Sequence, residues 1–194
     1  MAREIWKPGN MLYPVPAVMV TVGDKDINNI ITIAWTGTVN SDPAMVSISV
    51  RKSRYSHELL IKYREFVINL VTKKLTRAMD FCGVKSGKDV DKFRETKLTR
   101  GKASKVATPI IEESPVNIEC RVKEVISLGS HDMFLAEVLA VDVDDTYMDE
   151  KGRFNMEAAN LVAYSHGRYY TLGENIGSFG YSVRKKKSKK RNSK

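Results

Sequence analysis

Six short apolar segments, rich in β-branched residues and separated by polar stretches, limit what this chain can fold into. They run from Val15 to Val22, Ile30 to Trp35, Ala44 to Val50, Phe66 to Val71, Ile118 to Val125 and Met133 to Val143. β-Branched side chains fit the half-buried surface of a sheet, and the first two segments flank a turn-forming stretch typical of a hairpin. We therefore predict a mainly β fold, a closed barrel with peripheral helices.

The third segment ends in an unusual junction. From Ala44 to Val50, apolar residues alternate with serines, which predicts a strand with one buried face. A helix is expected from His57 to Arg64, with Ser56 as its N-cap. The stretch between them brings cations and hydroxyls together, namely Ser49, Arg51, Lys52, Ser53, Arg54, Tyr55 and Ser56. Backbone amides at a helix start and guanidinium groups stabilise a phosphate monoester, so an anion site is one interpretation; a solvated turn is the other.

The second segment continues into Thr32-Ile33-Ala34-Trp35-Thr36-Gly37. This mixture of one large aromatic residue, small residues and hydroxyls suits a flat heteroaromatic ring, which needs apolar contact on its faces and polar groups at its edge. A tryptophan buried in the core is the alternative.

The remaining reactive residues give few signals. Cys82 and Cys120 are far apart and outside any CxxC pattern, so we expect two buried thiols and no metal site. Glu137, on an apolar segment, is interpreted as a paired structural carboxylate. His57 and His166 are assigned no functional role.

The net charge of +9 comes almost entirely from one end of the chain. Eight basic residues lie within 184–194, and removing their charges leaves +1 for residues 1–183. A segment of this composition cannot bury an apolar face, so we predict a folded domain over 1–183 and a disordered basic tail over 184–194. No specific nucleic-acid binding is expected of the near-neutral domain.

The start of the chain has no apolar stretch typical of a signal peptide. Its longest apolar stretch, near Met11 to Val22, is interrupted by Pro14 and Pro16 and is too short to span a membrane. A cytoplasmic location is the expectation.

Several of these motifs together resemble the FMN-binding split-barrel flavin reductase family, and its flavoredoxin-like members in particular. The matching segments are Asn29 to Thr36 (NIITIAWT), Ser41-Asp42-Pro43, Ser47 to Ser56 (SISVRKSRYS), Gly129-Ser130-His131 followed by Phe134 and Glu137, and Tyr169 to Gly173 (YYTLG). The resemblance covers about Met11 to Tyr181.

The resemblance implies a six-stranded antiparallel split barrel of Greek-key type that forms a homodimer, with one FMN at each interface. Carried over by motif, Thr32, Ala34, Trp35 and Thr36 would line the isoalloxazine. Ser49, Arg51, Ser53, Tyr55 and Ser56 would hold the ribityl phosphate, and Val50 and Arg54 complete the cofactor-binding set. His131 would lie near the flavin and its reductant as the candidate catalytic residue; a loop histidine bonded to backbone is the alternative.

Three functions follow from these patterns. The first is an FMN-dependent oxidoreductase that passes electrons from NADH or NADPH through the flavin to a small-molecule or protein acceptor. The second is a flavoredoxin-like electron-transfer protein without nicotinamide activity. The third, of a different class, is a basic-tailed nucleic-acid-binding protein, which the near-neutral domain disfavours.

Overall fold

A computed structural model describes residues 1–184 of the chain, and these fold into a mainly β structure. The strands are β1 (Val15–Pro16), β2 (Val18–Gly23), β3 (Asn28–Ile33), β4 (Thr36–Ser41), β5 (Ala44–Arg51), β6 (Glu65–Leu70), β7 (Arg100–Gly101), β8 (Ile110–Ile111), β9 (Val116–Ser127), β10 (His131–Val143), β11 (Val162–Ser165) and β12 (Arg168–Thr171). The α-helices are α1 (Tyr55–Tyr63), α2 (Thr76–Val84) and α3 (Lys92–Thr96).

The main sheet has seven antiparallel strands in the order β3-β2-β6-β9-β10-β5-β4. Within the described residues it is open, with β3 and β4 at its edges. The mainly β, antiparallel expectation is confirmed, but the six-stranded closed barrel is wrong. The additional strand, β4, is exposed along nearly its whole length and polar in sequence, so it carries no apolar alternation that would have revealed it.

Two apolar clusters cover the two faces of the sheet. One contains Phe66 and Phe134 and packs against α1, and the other contains Met19 and Met79 and packs beneath α2 and α3. All six residues of β2 are buried because both of its faces are covered. The two cysteines are buried as expected, and burial raises the pKa of the Cys82 thiol to about 11.

Local features follow the sequence with one exception. The β2–β3 hairpin forms, and the pairing of β9 with β10 shifts register next to Glu124, where the sequence predicted a bulge. The prediction that Ser56 caps the helix is wrong, because α1 begins earlier. Ser56 lies inside the first turn, buried, and its Oγ accepts a hydrogen bond from Asn29 Nδ2 at 2.8 Å.

None of the helices within residues 1–184 is long and apolar enough to cross a membrane. Apart from Arg184, the segment predicted to be a basic tail lies outside the described residues.

Candidate functional site

A cleft of about 380 Å³ lies where the ends of several elements meet. One side is formed by the C-terminal ends of β3 and β5 and by the first residue of β10. The other side is formed by the last turns of α2 and by the β11–β12 hairpin. The backbone N–H of Ser49 donates to the Trp35 carbonyl at 2.9 Å, which fixes the β3–β4 corner against β5. The cleft is therefore built on paired strands.

A smaller recess of about 110 Å³ extends this cleft toward the start of α1. Ile31, Arg54 and Gly83 line both spaces, so the two form one elongated site. The far side of the recess is formed by the C-terminal end of α2, the loop that follows it, and Lys92 of α3.

The structure brings the sequence-predicted residues together with one exception. The cleft is lined by Thr32, Ala34, Trp35, Ser49, Val50, Arg51 and His131, the recess by Ser53, Tyr55 and Ser56, and both by Arg54. Thr36 lines neither space; it lies on β4, paired with Ile48. The residues predicted for a ring and those predicted for an anion thus occupy two connected parts of one site.

Arg54, Lys85 and Lys92 line the recess, and Arg51 lines the adjoining cleft. Among the ion pairs within residues 1–184, none involves Arg51 or Arg54. Helix α1 starts at this point, and no side chain of the described residues caps it. Uncapped backbone N–H groups and an unpaired guanidinium group are groups that favour a bound anion.

Lys92 is a site residue that the sequence did not reveal. Its side chain is buried, and Nζ donates to the carbonyls of Ile30 at 2.6 Å and Cys82 at 2.7 Å. Burial, with a smaller contribution from the Arg54 charge, lowers the pKa of Lys92 to about 8. An ammonium group has three N–H donors, so one remains for a ligand in the recess. Lys92 lies in an irregular, charged stretch of sequence, where its burial leaves no periodic signal.

The loop after α2 approaches β3 very closely. A Cβ added at Gly87 would lie 2.1 Å from Oδ1 of Asn29, the residue that donates to Ser56. Further along β3, Thr32 Oγ1 donates a hydrogen bond to the Met79 carbonyl of α2. A side chain at position 87 would therefore displace the loop or the Asn29 side chain.

Trp35 and His131 stand together at the edge of the cleft. Trp35 is 41% exposed, so it is not a core residue, and its ring centroid lies 4.7 Å from that of His131. His131 Nδ1 lies 2.9 Å from Ser130 Oγ. Burial, together with the charge of Arg51 opposite it, lowers the pKa of His131 below its ordinary value of 6.5. At neutral pH this histidine is an uncharged hydrogen-bonding group.

Two tyrosines of the β11–β12 hairpin also line the cleft. Tyr169 of β12 donates its hydroxyl proton to Asp80 Oδ1 of α2 at 2.7 Å, and its ring packs against Tyr164. Burial and this hydrogen bond raise the pKa of Tyr169 to about 12. Aromatic residues therefore line the cleft, and cationic residues line the recess.

The chain is similar in sequence to known proteins over most of its length. Residues 10–173 match the family described as "Flavin reductase like domain". The chain is 31% identical to an uncharacterised protein of Pyrococcus abyssi over 86% of its own length and 95% of the relative. It is 24% identical to the NADPH-flavin oxidoreductase of Streptomyces viridifaciens over 65% of each chain.

Solved structures of similar fold also cover most of the chain. The flavoredoxin of Desulfovibrio vulgaris has a TM-score of 0.86 and 26% identity, covering 94% of this chain and 100% of that one. An FMN-binding protein of Thermus thermophilus has a TM-score of 0.76 and 26% identity, covering 91% and 99%. A flavin reductase with a split-barrel domain from Shewanella frigidimarina shares the fold, with a TM-score of 0.77, 22% identity and coverage of 87% and 86%.

Proposed function

Because the chain belongs to the flavin reductase-like family, matching it over residues 10–173, we propose that it binds FMN and is an oxidoreductase that passes electrons from NADH or NADPH to an acceptor. The acceptor is a small molecule or another protein. The observation that carries this proposal is the continuity between an aromatic-lined cleft and a cationic recess at a helix start.

The residues present fit FMN as a cofactor. Arg54, the backbone of the first turn of α1, and the remaining Nζ donor of Lys92 would hold the phosphate. Trp35 and the β3 backbone would contact the isoalloxazine ring, and Thr32, whose hydroxyl is already bonded to α2, would fix the position of the strand beneath it. Bound FMN would supply the ability to accept a hydride and to release electrons singly or in pairs.

The roles of the remaining residues follow from their geometry. His131 is uncharged at neutral pH and offers one ring nitrogen to a reductant or to the flavin edge, while the other contacts Ser130. Trp35 packs against His131 and would shield one side of a bound ring from water. The two side chains would position the nicotinamide for transfer of its hydride.

We further propose that the active form is a homodimer. Trp35 at the edge of the cleft is substantially exposed, and Val141 and Val143 near the end of β10 are 53% and 42% exposed. A second copy would cover these residues. Sedimentation equilibrium of the purified protein tests this: a mass of one chain at micromolar concentration contradicts it.

The experiment that tests the redox proposal is an anaerobic absorbance spectrum of the purified chain before and after addition of NADH and NADPH. We expect a flavin spectrum, or one that forms when FMN is added, and bleaching by at least one nicotinamide nucleotide. If neither FMN nor FAD changes the absorbance or the thermal stability, flavin binding is contradicted.

A second candidate function is flavoredoxin-like electron transfer without nicotinamide activity. The structural likeness to flavoredoxin, which extends over 94% of this chain, favours it. A flavin that is reduced by dithionite but not by NADH or NADPH would support this function over the first.

A further inference from the structure

A buried carboxylate on β10 contacts residues on both sides of the segment that leads into α1. Asp132 is the second residue of β10, and its side chain is only 10% exposed. Asp132 Oδ2 accepts a hydrogen bond from His57 Nε2 at 2.7 Å, and Oδ1 lies 3.3 Å from the Nζ of Lys52. Lys52 Nζ also donates to Ser127 Oγ at 2.8 Å. The bond from His57, with the Lys52 charge, holds the pKa of Asp132 below its ordinary value.

The two partners of Asp132 flank the anion-binding segment. Lys52 precedes residues 53–56 and His57 follows them, so a single carboxylate holds both ends of this four-residue stretch. The segment needs such a support, since no side chain among the described residues caps α1. Its first two residues, Ser53 and Arg54, are exposed.

The same carboxylate is adjacent to His131. In the β10–β5 pairing His131 lies opposite Arg51, and Asp132 lies opposite Val50. Successive residues of a strand point to opposite faces, so His131 faces the cleft while Asp132 faces α1. His57 is further fixed by edge contact with Phe134, a fully buried residue of β10.

We propose that Asp132, acting through Lys52 and His57, is the positioning residue that sets the phosphate-binding segment 53–56 in place relative to His131. This inference rests on the proposed function, because the ligand of segment 53–56 is taken to be the FMN phosphate. Asp132 touches neither cofactor nor substrate. It determines how well the anion site is formed before the ligand arrives, and therefore how strongly the protein prefers FMN to riboflavin.

Electrostatics alone predicts the opposite effect of removing this charge. The Asp132 carboxylate is negative and close to the recess, so the substitution Asp132→Asn should strengthen binding of a dianion if through-space attraction decides the outcome. If positioning decides it, the same substitution weakens FMN and leaves riboflavin, which has no phosphate, unchanged. The direction of the change in FMN affinity therefore distinguishes the electrostatic explanation from the positioning explanation.

The test measures dissociation constants for FMN and for riboflavin by quenching of flavin fluorescence in wild type and in Asp132→Asn. We expect binding of FMN about tenfold weaker in the variant, the effect of losing about one charge-assisted hydrogen bond, with riboflavin within about twofold of wild type. Unchanged or tighter FMN binding would overturn the proposal, and so would equal losses for the two ligands.

Two controls complete the design. Glu137→Gln removes a carboxylate from the same strand, where it pairs with Lys123 at 3.2 Å, and it should leave both constants unchanged. If Asp132→Asn does not fold, His57→Gln removes one of the two contacts, and it should lower the FMN-to-riboflavin preference by about threefold; an unchanged preference overturns the proposal. Should wild type itself not prefer FMN to riboflavin, the phosphate site of the proposed function fails instead.

Discussion

The indole ring of Trp35 and the imidazole of His131 lie with their centroids 4.7 Å apart and their planes tilted by 41°. Trp35 follows β3 and His131 begins β10, so the contact exists because the sheet places β5, which pairs with β10, beside the β3–β4 corner. The pair defines one edge of the cleft, and under the proposed function a reductant would approach there.

His131 should titrate below pH 6.5, and Arg51 should be one reason. The guanidinium charge opposite His131 disfavours the imidazolium, so Arg51→Gln is expected to raise the pKa of His131 toward its ordinary value. NMR titration of the imidazole protons measures this directly in the protein without ligand. The exposed Lys62→Gln serves as control, and an unchanged pKa in Arg51→Gln would rule out the electrostatic coupling.

Arg54 should discriminate between flavins that do and do not carry a phosphate. Arg54→Gln removes a guanidinium from the recess, and we expect FMN to bind ten- to a hundredfold more weakly while riboflavin changes little. Fluorescence titration with both flavins gives the two constants. Lys62→Gln, on an exposed part of α1, controls for net charge, and equal losses for FMN and riboflavin would contradict the assignment of the recess to the phosphate.

The parts of this site that the sequence predicted are those that local chemistry determines. The alternation before Arg51 indicated which face of β5 is buried. The cations from Arg51 to Arg54 predicted an anion site, which stays a prediction. From the sequence, Lys92 was not singled out and His57 was assigned no functional role, for a different reason. The burial of Lys92 depends on how α3 packs under β3, and the importance of His57 depends on β10 bringing Asp132 beneath α1. Long-range pairing of this kind leaves no trace in residue spacing.

The extra edge strand shows the same limit for the fold. β4 is held by its ladder to β5, and its side chains are mostly exposed. Backbone hydrogen bonding does not depend on side-chain polarity, so a polar strand can pair as well as an apolar one. Apolar periodicity detects only strands that bury a face.

Lys92 should make FMN binding depend on pH. A bound phosphate dianion favours the protonated ammonium, so affinity for FMN is expected to fall as the pH rises through about 8, the pKa of Lys92 in the free protein. Above about pH 7 the phosphate charge is nearly constant. Titrations between pH 7 and 9.5 should show this decline for FMN and not for riboflavin. A Lys92→Met protein that shows the same decline would contradict the assignment.

Lys92 should also make the stability of the protein depend on pH, but in the direction opposite to its effect on FMN binding. The pKa of Lys92 is lower in the folded protein than its ordinary value of 10.5, so between about pH 8 and 10.5 the unfolded chain binds more protons. Its contribution to the free energy of unfolding therefore increases as the pH rises through this window. Urea unfolding at several pH values, compared between wild type and Lys92→Met, isolates the contribution. A difference between the two proteins that does not change with pH would show that Lys92 is not strained by burial.

Gly87 should be intolerant of even one added methyl group. A Cβ at this position would lie 2.1 Å from Oδ1 of Asn29, so Gly87→Ala must displace either the loop or the Asn29 side chain that donates to Ser56. We expect a loss of about 1 to 3 kcal/mol in the free energy of unfolding together with weaker FMN binding, measured by urea denaturation and flavin titration. Gly37→Ala is the matched control, since no atom lies within 4 Å of its added Cβ. If the two alanine variants lose the same stability and bind FMN equally well, the close approach of the loop to β3 does not shape the recess.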